Sequence, residues 1–272
     1  GSEMCIRDSA RPANVPFDRN KIFTSDDILH IEHLPATMIV VGGGVIGTEY
    51  ASMLGALGVR VTLIEGRPRL LEFLDNEVTE ALQYHLRQAG VTLRLGEKVV
   101  SIKKAPPPDA VRGDMSDLVE AVLESGKTLR AECLMYCIGR QGATDRLGLD
   151  KVGLKADDRG RIKVNAAFQA IDPNGVAVQG VYAVGDVIGF PALASTSMEQ
   201  GRLAACHMFG EHYDSVPELF PYGIYSVPEI SMVGWTEERL TAAGIPYEAG
   251  IAQYKETARG HLIGDEIGML KL

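Results

Sequence analysis

Between residues 38 and 95 the apolar positions follow two periods in turn. Short aliphatic and β-branched runs at 38–42, 60–65 and 91–95 predict strands. Stretches 45–57 and 75–89, whose apolar residues recur with a helical period, predict helices. Alternation of this kind means a parallel sheet covered on both faces, an α/β fold, which is Rossmann-like where a glycine-rich turn joins the first strand to the first helix. After the strand run "VVSIKK" and a polar loop at 105–117, the stretch 118–139 predicts an antiparallel hairpin turning at Ser125-Gly126-Lys127 and leading into a further strand. The first domain is expected over residues 36–139. A second region, 140–215, holds short strands, an apolar strand running into Gly185-Asp186 and a helix from about Leu193 to Phe209. A third region, 216–272, begins a new pattern. Residues 10–35 are polar and Pro-rich, with a short helix entered through Ser25 or Asp26, and read as a linker.

Composition narrows the class. With 272 residues, 46% hydrophobic and 23% charged, the chain can bury one large core or two modest ones. The formal net charge of −9 argues against binding a nucleic-acid backbone. No run of about 18 apolar residues suggests a membrane span, and no secretory leader is seen, so a cytoplasmic location is expected. Residues 1–9, "GSEMCIRDS", back-translate over Met4–Ser9 to the end sequence of a transposon used in preparing sequencing libraries. They read as added sequence outside the fold, and the chain as a fragment of a longer protein. Setting Cys5 aside leaves Cys133, Cys137 and Cys206. Cys133 and Cys137, four apart on a strand, face the same side and read as small buried hydrophobes. With the histidines scattered, neither a metal site nor a catalytic cysteine is expected.

Chemistry concentrates at one turn. Gly42, Gly44 and Gly47 give the spacing GxGxxG between a strand and a helix. Gly42 permits the tight turn, Gly44 lets backbone approach a pyrophosphate, and Gly47 lets helix and strand pack closely. The helix N-terminus supplies N–H groups and the positive end of its dipole. Glu65, ending the next strand, is placed to accept hydrogen bonds from an adenosine ribose, which favours NAD. A 2′-phosphate there would meet a like charge worth roughly 4 kcal/mol at about 4 Å. Arg67 and Arg69 offset part of this, or else form a solvated turn with one of them over the adenine.

With these residues in place the chain resembles, over residues 10–272, the flavoprotein disulfide reductase superfamily. "GGGVIGTE" resembles its NAD(P) fingerprint, and Glu49 matches a glutamate that points towards the flavin and pairs with a lysine. "GVYAVGDV" resembles its second flavin motif, in which Asp186 would hold the ribityl chain of FAD. "CIGRQGATD" resembles the return from the NAD domain to the FAD domain, and "YSVPEISMVGWTEERL" the start of the dimerisation domain. The resemblance thus implies that residues 10–35 include a piece of the FAD domain, 140–215 its C-terminal part, and 216–272 a truncated dimerisation domain. It implies NAD(P) contacts at Gly42, Gly44, Gly47, Glu65, Arg67, Val99 and Gly139, and FAD contacts at Asp186 and at the helix-terminal Ala194 and Ser195. Glu49 is the residue placed nearest the chemistry. "GRQGATD", "RLLEFLDNEVTEALQYHLRQAGV" and "YGIYSVPEIS" are similar to the transhydrogenase branch, implying FAD-dependent hydride transfer between NADPH and NAD in a homodimer. The alternatives are a dihydrolipoamide dehydrogenase or related disulfide oxidoreductase, and a non-enzymatic NAD-sensing module.

Overall fold

The computed structural model describes residues 7–106, 118–189, 191–212 and 219–272, so most of the polar loop expected at 105–117 lies outside the described residues. The chain divides into two units, one of residues up to Ala10 with Gly139–Tyr222, the other of Arg11–Ile138 with Gly223–Leu272. The earliest strand, β1 (Arg7–Ser9), belongs to the first unit, where it pairs antiparallel with Arg140–Gly142. Residues 1–9 read as added sequence, and Arg7–Ser9 nonetheless occupy this edge. A strand edge with open N–H and C=O groups accepts an extended segment whatever its origin.

The larger unit follows the alternation in the sequence. Its elements are β2 (Ile22–Thr24), β3 (Thr37–Val41), α1 (Val45–Ala56), β4 (Arg60–Glu65), α2 (Asn76–Gln88), β5 (Thr92–Leu95), β6 (Val99–Ala105), β7 (Leu118–Leu123), β8 (Thr128–Ala131) and β9 (Cys133–Tyr136). Among the described residues a parallel sheet runs in the order β2-β9-β3-β4-β5, and β6-β7-β8 form an antiparallel meander. On one face Ile39, Val41, Ile64 and Leu134 pack against Ile102, Val119, Ala121 and Leu123 of the meander. The alternate residues Met38, Val40, Leu63 and Met135 are equally buried and point to the opposite face, where α1 lies along β3 and β4. Each such side chain contributes about 1.5–3 kcal/mol by leaving water. Burial on both faces explains why these strands read as unbroken apolar runs.

Residues 11–35, expected as a linker with a piece of the other domain, lie instead in this unit. Ile22, Phe23 and Thr24 are buried and pair in parallel with Leu134, Met135 and Tyr136, which extends the sheet by an edge strand. Two aspartates shape the approach. Asp18 Oδ1 accepts the N–H groups of Asn20, Lys21 and Ile22, while Asp27 Oδ2 accepts the Thr24 N–H and hydroxyl and an Arg11 guanidinium N–H. The expected helix is a single 3-10 turn, Ile28–His30, whose N-cap is Asp27 rather than Ser25 or Asp26.

In the smaller unit β10 (Arg140–Gly142) precedes an antiparallel hairpin of β11 (Gln169–Ile171) and β12 (Ala177–Tyr182), followed by α3 (Ala194–Phe209). Leu154, Ile162, Ala170, Ala183 and Val187 form one core, and Phe168 with Leu203 and Ala204 of α3 form another.

The last stretch holds β13 (Tyr222–Ile224), β14 (Ile230–Met232), α4 (Glu237–Ala242), β15 (Ile251–Gln253), α5 (Ala258–Ile263) and β16 (Met269–Lys271). It is tied to the dinucleotide fold by polar contacts. Glu49 and Ser52 of α1 accept the N–H groups of Tyr225 and Val227 at 2.8 and 2.9 Å. Lys271 Nζ reaches Asp75 at 2.8 Å, Glu77 at 2.6 Å and Glu237 at 2.8 Å, and Asp75 also caps α2 through the Glu77 N–H.

Candidate dinucleotide site

β3 pairs with β4 on one side and β9 on the other, so the strand order reverses direction there. Ligands of open α/β sheets bind outside the carboxyl ends of strands at such a point. The glycine turn sits there. Gly42 leaves the ladder with φ +109°, donating its N–H to Ile64 O at 2.8 Å, and a Cβ on it would press on the Cys137 carbonyl at 3.0 Å. A Cβ on Gly47 would overlap the Gly42 carbonyl oxygen, so the glycine lets α1 start hard against β3. Gly44 is the N-cap of α1, and a Cβ on it would meet nothing within 4 Å. No side chain caps α1, and no acid lies in its first turn. The first-turn N–H groups therefore face an open approach, which fits a pyrophosphate.

Gly43, which the sequence reading passed over, is equally constrained. A Cβ there would strike Leu70 Cδ2 and approach Glu65 Cβ at 2.9 Å, and its N–H donates to Glu65 Oε2 at 2.6 Å. The triple glycine was the available signal.

Glu65 is buried at the end of β4. Its Oε1 accepts from the Arg67 N–H at 2.9 Å and Arg67 Nε at 3.0 Å, and its Oε2 also accepts from Arg67 Nη2 at 3.0 Å. Burial pushes its carboxyl up, but the hydrogen bonds from Arg67 and Gly43 win and hold it below the usual carboxylate range. The bond to Glu65 in turn raises Arg67. Arg67 therefore neither lies loose in solvent nor points away, while Arg69 stays outside the pair. The stem of Lys98 lies 3.2 Å from where a Gly66 Cβ would be, beside the same turn.

The remaining predicted residues are spread more widely. Val99 starts β6 and packs against the core between sheet and meander. Gly139 has φ +83° and open space around it, and its carbonyl accepts the Ala10 N–H at 3.3 Å. Glu49 lies on the second turn of α1, with Tyr225 N–H as a hydrogen-bond donor to it. In the smaller unit, Asp186 lies in the 3-10 turn Gly185–Ile188. That turn is held to α3: the Gly185 N–H donates to the buried Gln200 side chain at 2.7 Å, and a Cβ on Gly185 would sit 3.0 Å from Ser197 Oγ. Ala194 and Ser195 are exposed at the start of α3, which has no side-chain cap and no acid in its first turn. Those amides are open to a polar or anionic group.

Cys133 is buried on β9, whereas Cys137 falls one residue past its end, against the glycine turn. Burial raises both thiols, that of Cys137 up to about 12, so neither is a thiolate at neutral pH. Among the described residues no three His, Cys, Asp or Glu side chains converge as a metal site, and no helix is long and apolar enough to cross a membrane.

A glycine turn at the switch point of a parallel sheet, an uncapped helix behind it and an acid closing the next strand define a dinucleotide-binding α/β protein. The chain belongs to the pyridine nucleotide-disulphide oxidoreductase family, which it matches over residues 10–201, and residues 220–272 match the dimerisation domain of that family. The soluble pyridine nucleotide transhydrogenases of Mycobacterium bovis and Mycobacterium tuberculosis are each 52% identical over 263 residues, 97% of this chain and 53% of theirs. The protein of that name from Marinomonas sp. is 47% identical over 262 residues, 96% of this chain and 53% of its own. The chain thus spans about half the length of the curated relatives it matches. Among solved structures it is similar to the HOCl-induced flavoprotein disulfide reductase RclA from Escherichia coli, with a TM-score of 0.84, 25% identity, and coverage of 97% of this chain and 58% of RclA. LpdA from Mycobacterium tuberculosis gives a TM-score of 0.83 at 25% identity, covering 97% of this chain and 54% of LpdA.

Proposed function

We propose that this chain, as part of a protein of its relatives' length, carries out FAD-dependent hydride transfer from NADPH to NAD, giving NADP and NADH. The observation that carries this reading is 52% identity over 97% of the chain to proteins named soluble pyridine nucleotide transhydrogenase. The two uncapped helix N-termini support it. Gly42, Gly44 and Gly47 with the first turn of α1 hold the pyrophosphate of NAD or NADP, and Glu65 and Arg67 meet the adenosine ribose. Val99 and Gly139 are assigned as further nucleotide contacts. Asp186 holds the ribityl hydroxyls of FAD, and the Ala194 and Ser195 amides stabilise negative charge on its pyrimidine edge. Glu49, which accepts the Tyr225 N–H, is the residue of α1 assigned the role nearest the chemistry. FAD, when held by Asp186 and the start of α3, would supply the hydride chemistry. The chain's own part is to orient each nucleotide, exclude water and admit both to one site in turn.

The homology to a dimerisation domain supports a homodimer, and the nucleotides used support a cytoplasmic setting. A disulfide oxidoreductase is the second reading, favoured by the likeness to RclA. Initial rates of hydride transfer between NADPH and a thionicotinamide analogue of NAD, measured on the full-length protein, test the proposal. Parallel-line, ping-pong kinetics are expected because one site serves both nucleotides by turns; intersecting lines count against it.

A further inference from the structure

An ionised carboxylate offers about four acceptor positions. At Glu65 all four are filled: by the Gly43 N–H at 2.6 Å, the Arg67 N–H at 2.9 Å, and Arg67 Nε and Nη2 at 3.0 Å each. The two backbone donors are fixed by the glycine turn and by the turn after β4. The other two belong to one guanidinium, on a side chain 44% exposed, which can swing into solvent. A ribose that binds Glu65 through vicinal 2′ and 3′ hydroxyls needs two acceptor positions. Only the guanidinium can vacate two at once.

Building on the nucleotide reading above, we propose that Arg67 is an internal competitor for the ribose: it closes Glu65, is expelled when an adenosine ribose with a free 2′-hydroxyl binds, and turns to the phosphate instead when the ribose carries a 2′-phosphate. Its planar fork matches a phosphate as well as it matches a carboxylate. Glu65 keeps two backbone N–H donors when Arg67 leaves, so the carboxylate stays ionised and ready for the ribose. The same side chain therefore lowers affinity for the NAD class and raises it for the NADP class. A single site is thereby brought towards equal use of both, through exchange of one arginine between an internal and an external anion.

The test is calorimetric titration of the 272-residue chain with ADP-ribose and with 2′-phospho-ADP-ribose. These probes carry the adenosine half alone, so neither flavin nor turnover enters the readout. Arg67→Ala should bind ADP-ribose about 2- to 5-fold more tightly, the worth of a part-exposed ion pair, and 2′-phospho-ADP-ribose at least about 5-fold more weakly. Arg67→Lys, a point charge without the fork, should also tighten ADP-ribose while keeping most of the affinity for the phosphorylated probe. Arg67→Ala that binds ADP-ribose no better than the parent, or Arg67→Lys that matches the parent on both probes, overturns the competitor role and leaves the site standing. Failure of the parent chain to bind either probe overturns the competitor role and the nucleotide reading together.

Discussion

Replacing Gly44 and Gly47 separately by alanine separates what the glycine turn does for the fold from what it does for a ligand. At Gly47 the new methyl would overlap the Gly42 carbonyl oxygen, a rigid backbone atom, so α1 must lift away from β3. Overpacking of this kind costs about 1–3 kcal/mol. In a unit of about 150–250 residues that corresponds to roughly 2–4 °C of melting temperature per kcal/mol. At Gly44 the methyl meets nothing within 4 Å, and the backbone, at φ −74° and ψ −174°, suits alanine. Stability there should hold or rise by about 0.4–1 kcal/mol, through a less free unfolded chain. The same methyl stands where a pyrophosphate would approach the first-turn N–H groups, so ADP-ribose should bind more than about tenfold more weakly, or 1.4 kcal/mol. Scanning fluorimetry gives the first quantity and calorimetric titration the second. Gly44→Ala that binds like the parent would refute the placement of the pyrophosphate, and Gly47→Ala with an unchanged melting temperature would refute the packing argument.

Glu65→Gln presents an amide N–H₂ where the carboxylate now accepts from Gly43 and Arg67, and it removes the repulsion of a 2′-phosphate. ADP-ribose should bind more weakly and 2′-phospho-ADP-ribose more tightly; equal losses for both would place the ribose elsewhere. Lys271→Met should cost about 1–3 kcal/mol, because it leaves Asp75 and Glu237 facing each other without the buried ammonium, with half-exposed Glu77 adding least. Although burial raises the Asp75 carboxyl, its bond to Lys271 and its other hydrogen bonds hold it below the usual range. The contribution is thus complete above the unfolded carboxylate value near 3.9 and fades as pH falls through the lower folded value. Urea midpoints of parent and variant should therefore converge as the pH falls below about 4; a constant gap down to pH 2 would contradict the ion-cluster account.

The dinucleotide core was legible because its signals are local. Glycine spacing, the helical period of α2 and the apolar run of β4 each lie within about one element, and the structure returns β4 at Arg60–Glu65 as read. What escaped the sequence depends on groups that meet from afar. Gly43 must lack a side chain because Leu70 Cδ2 and Glu65 Cβ arrive beneath it. Glu49 holds Tyr225, 176 positions away, and Asp75 holds Lys271, 196 positions away; no periodicity records either. The edge strand Ile22–Thr24 has only three residues in polar surroundings, too short for its alternation to show. At Glu65 the residue was legible and its state was not, since the closure by Arg67 is set by a rotamer.

If the full-length protein transfers hydride as proposed, its flavin serves two nucleotides without a thiol. The most direct measurement is the rate of hydride transfer from NADPH to thio-NAD by the full-length, FAD-loaded enzyme, before and after alkylation of the NADPH-reduced protein. Transfer is expected with no thiol substrate present, at a rate that alkylation leaves nearly intact. Within this chain burial raises the Cys133 and Cys137 thiols, which suits packing rather than redox chemistry. Negligible transfer between the nucleotides, together with rapid NAD reduction by a dithiol that alkylation abolishes, would contradict that expectation and make the protein a disulfide oxidoreductase.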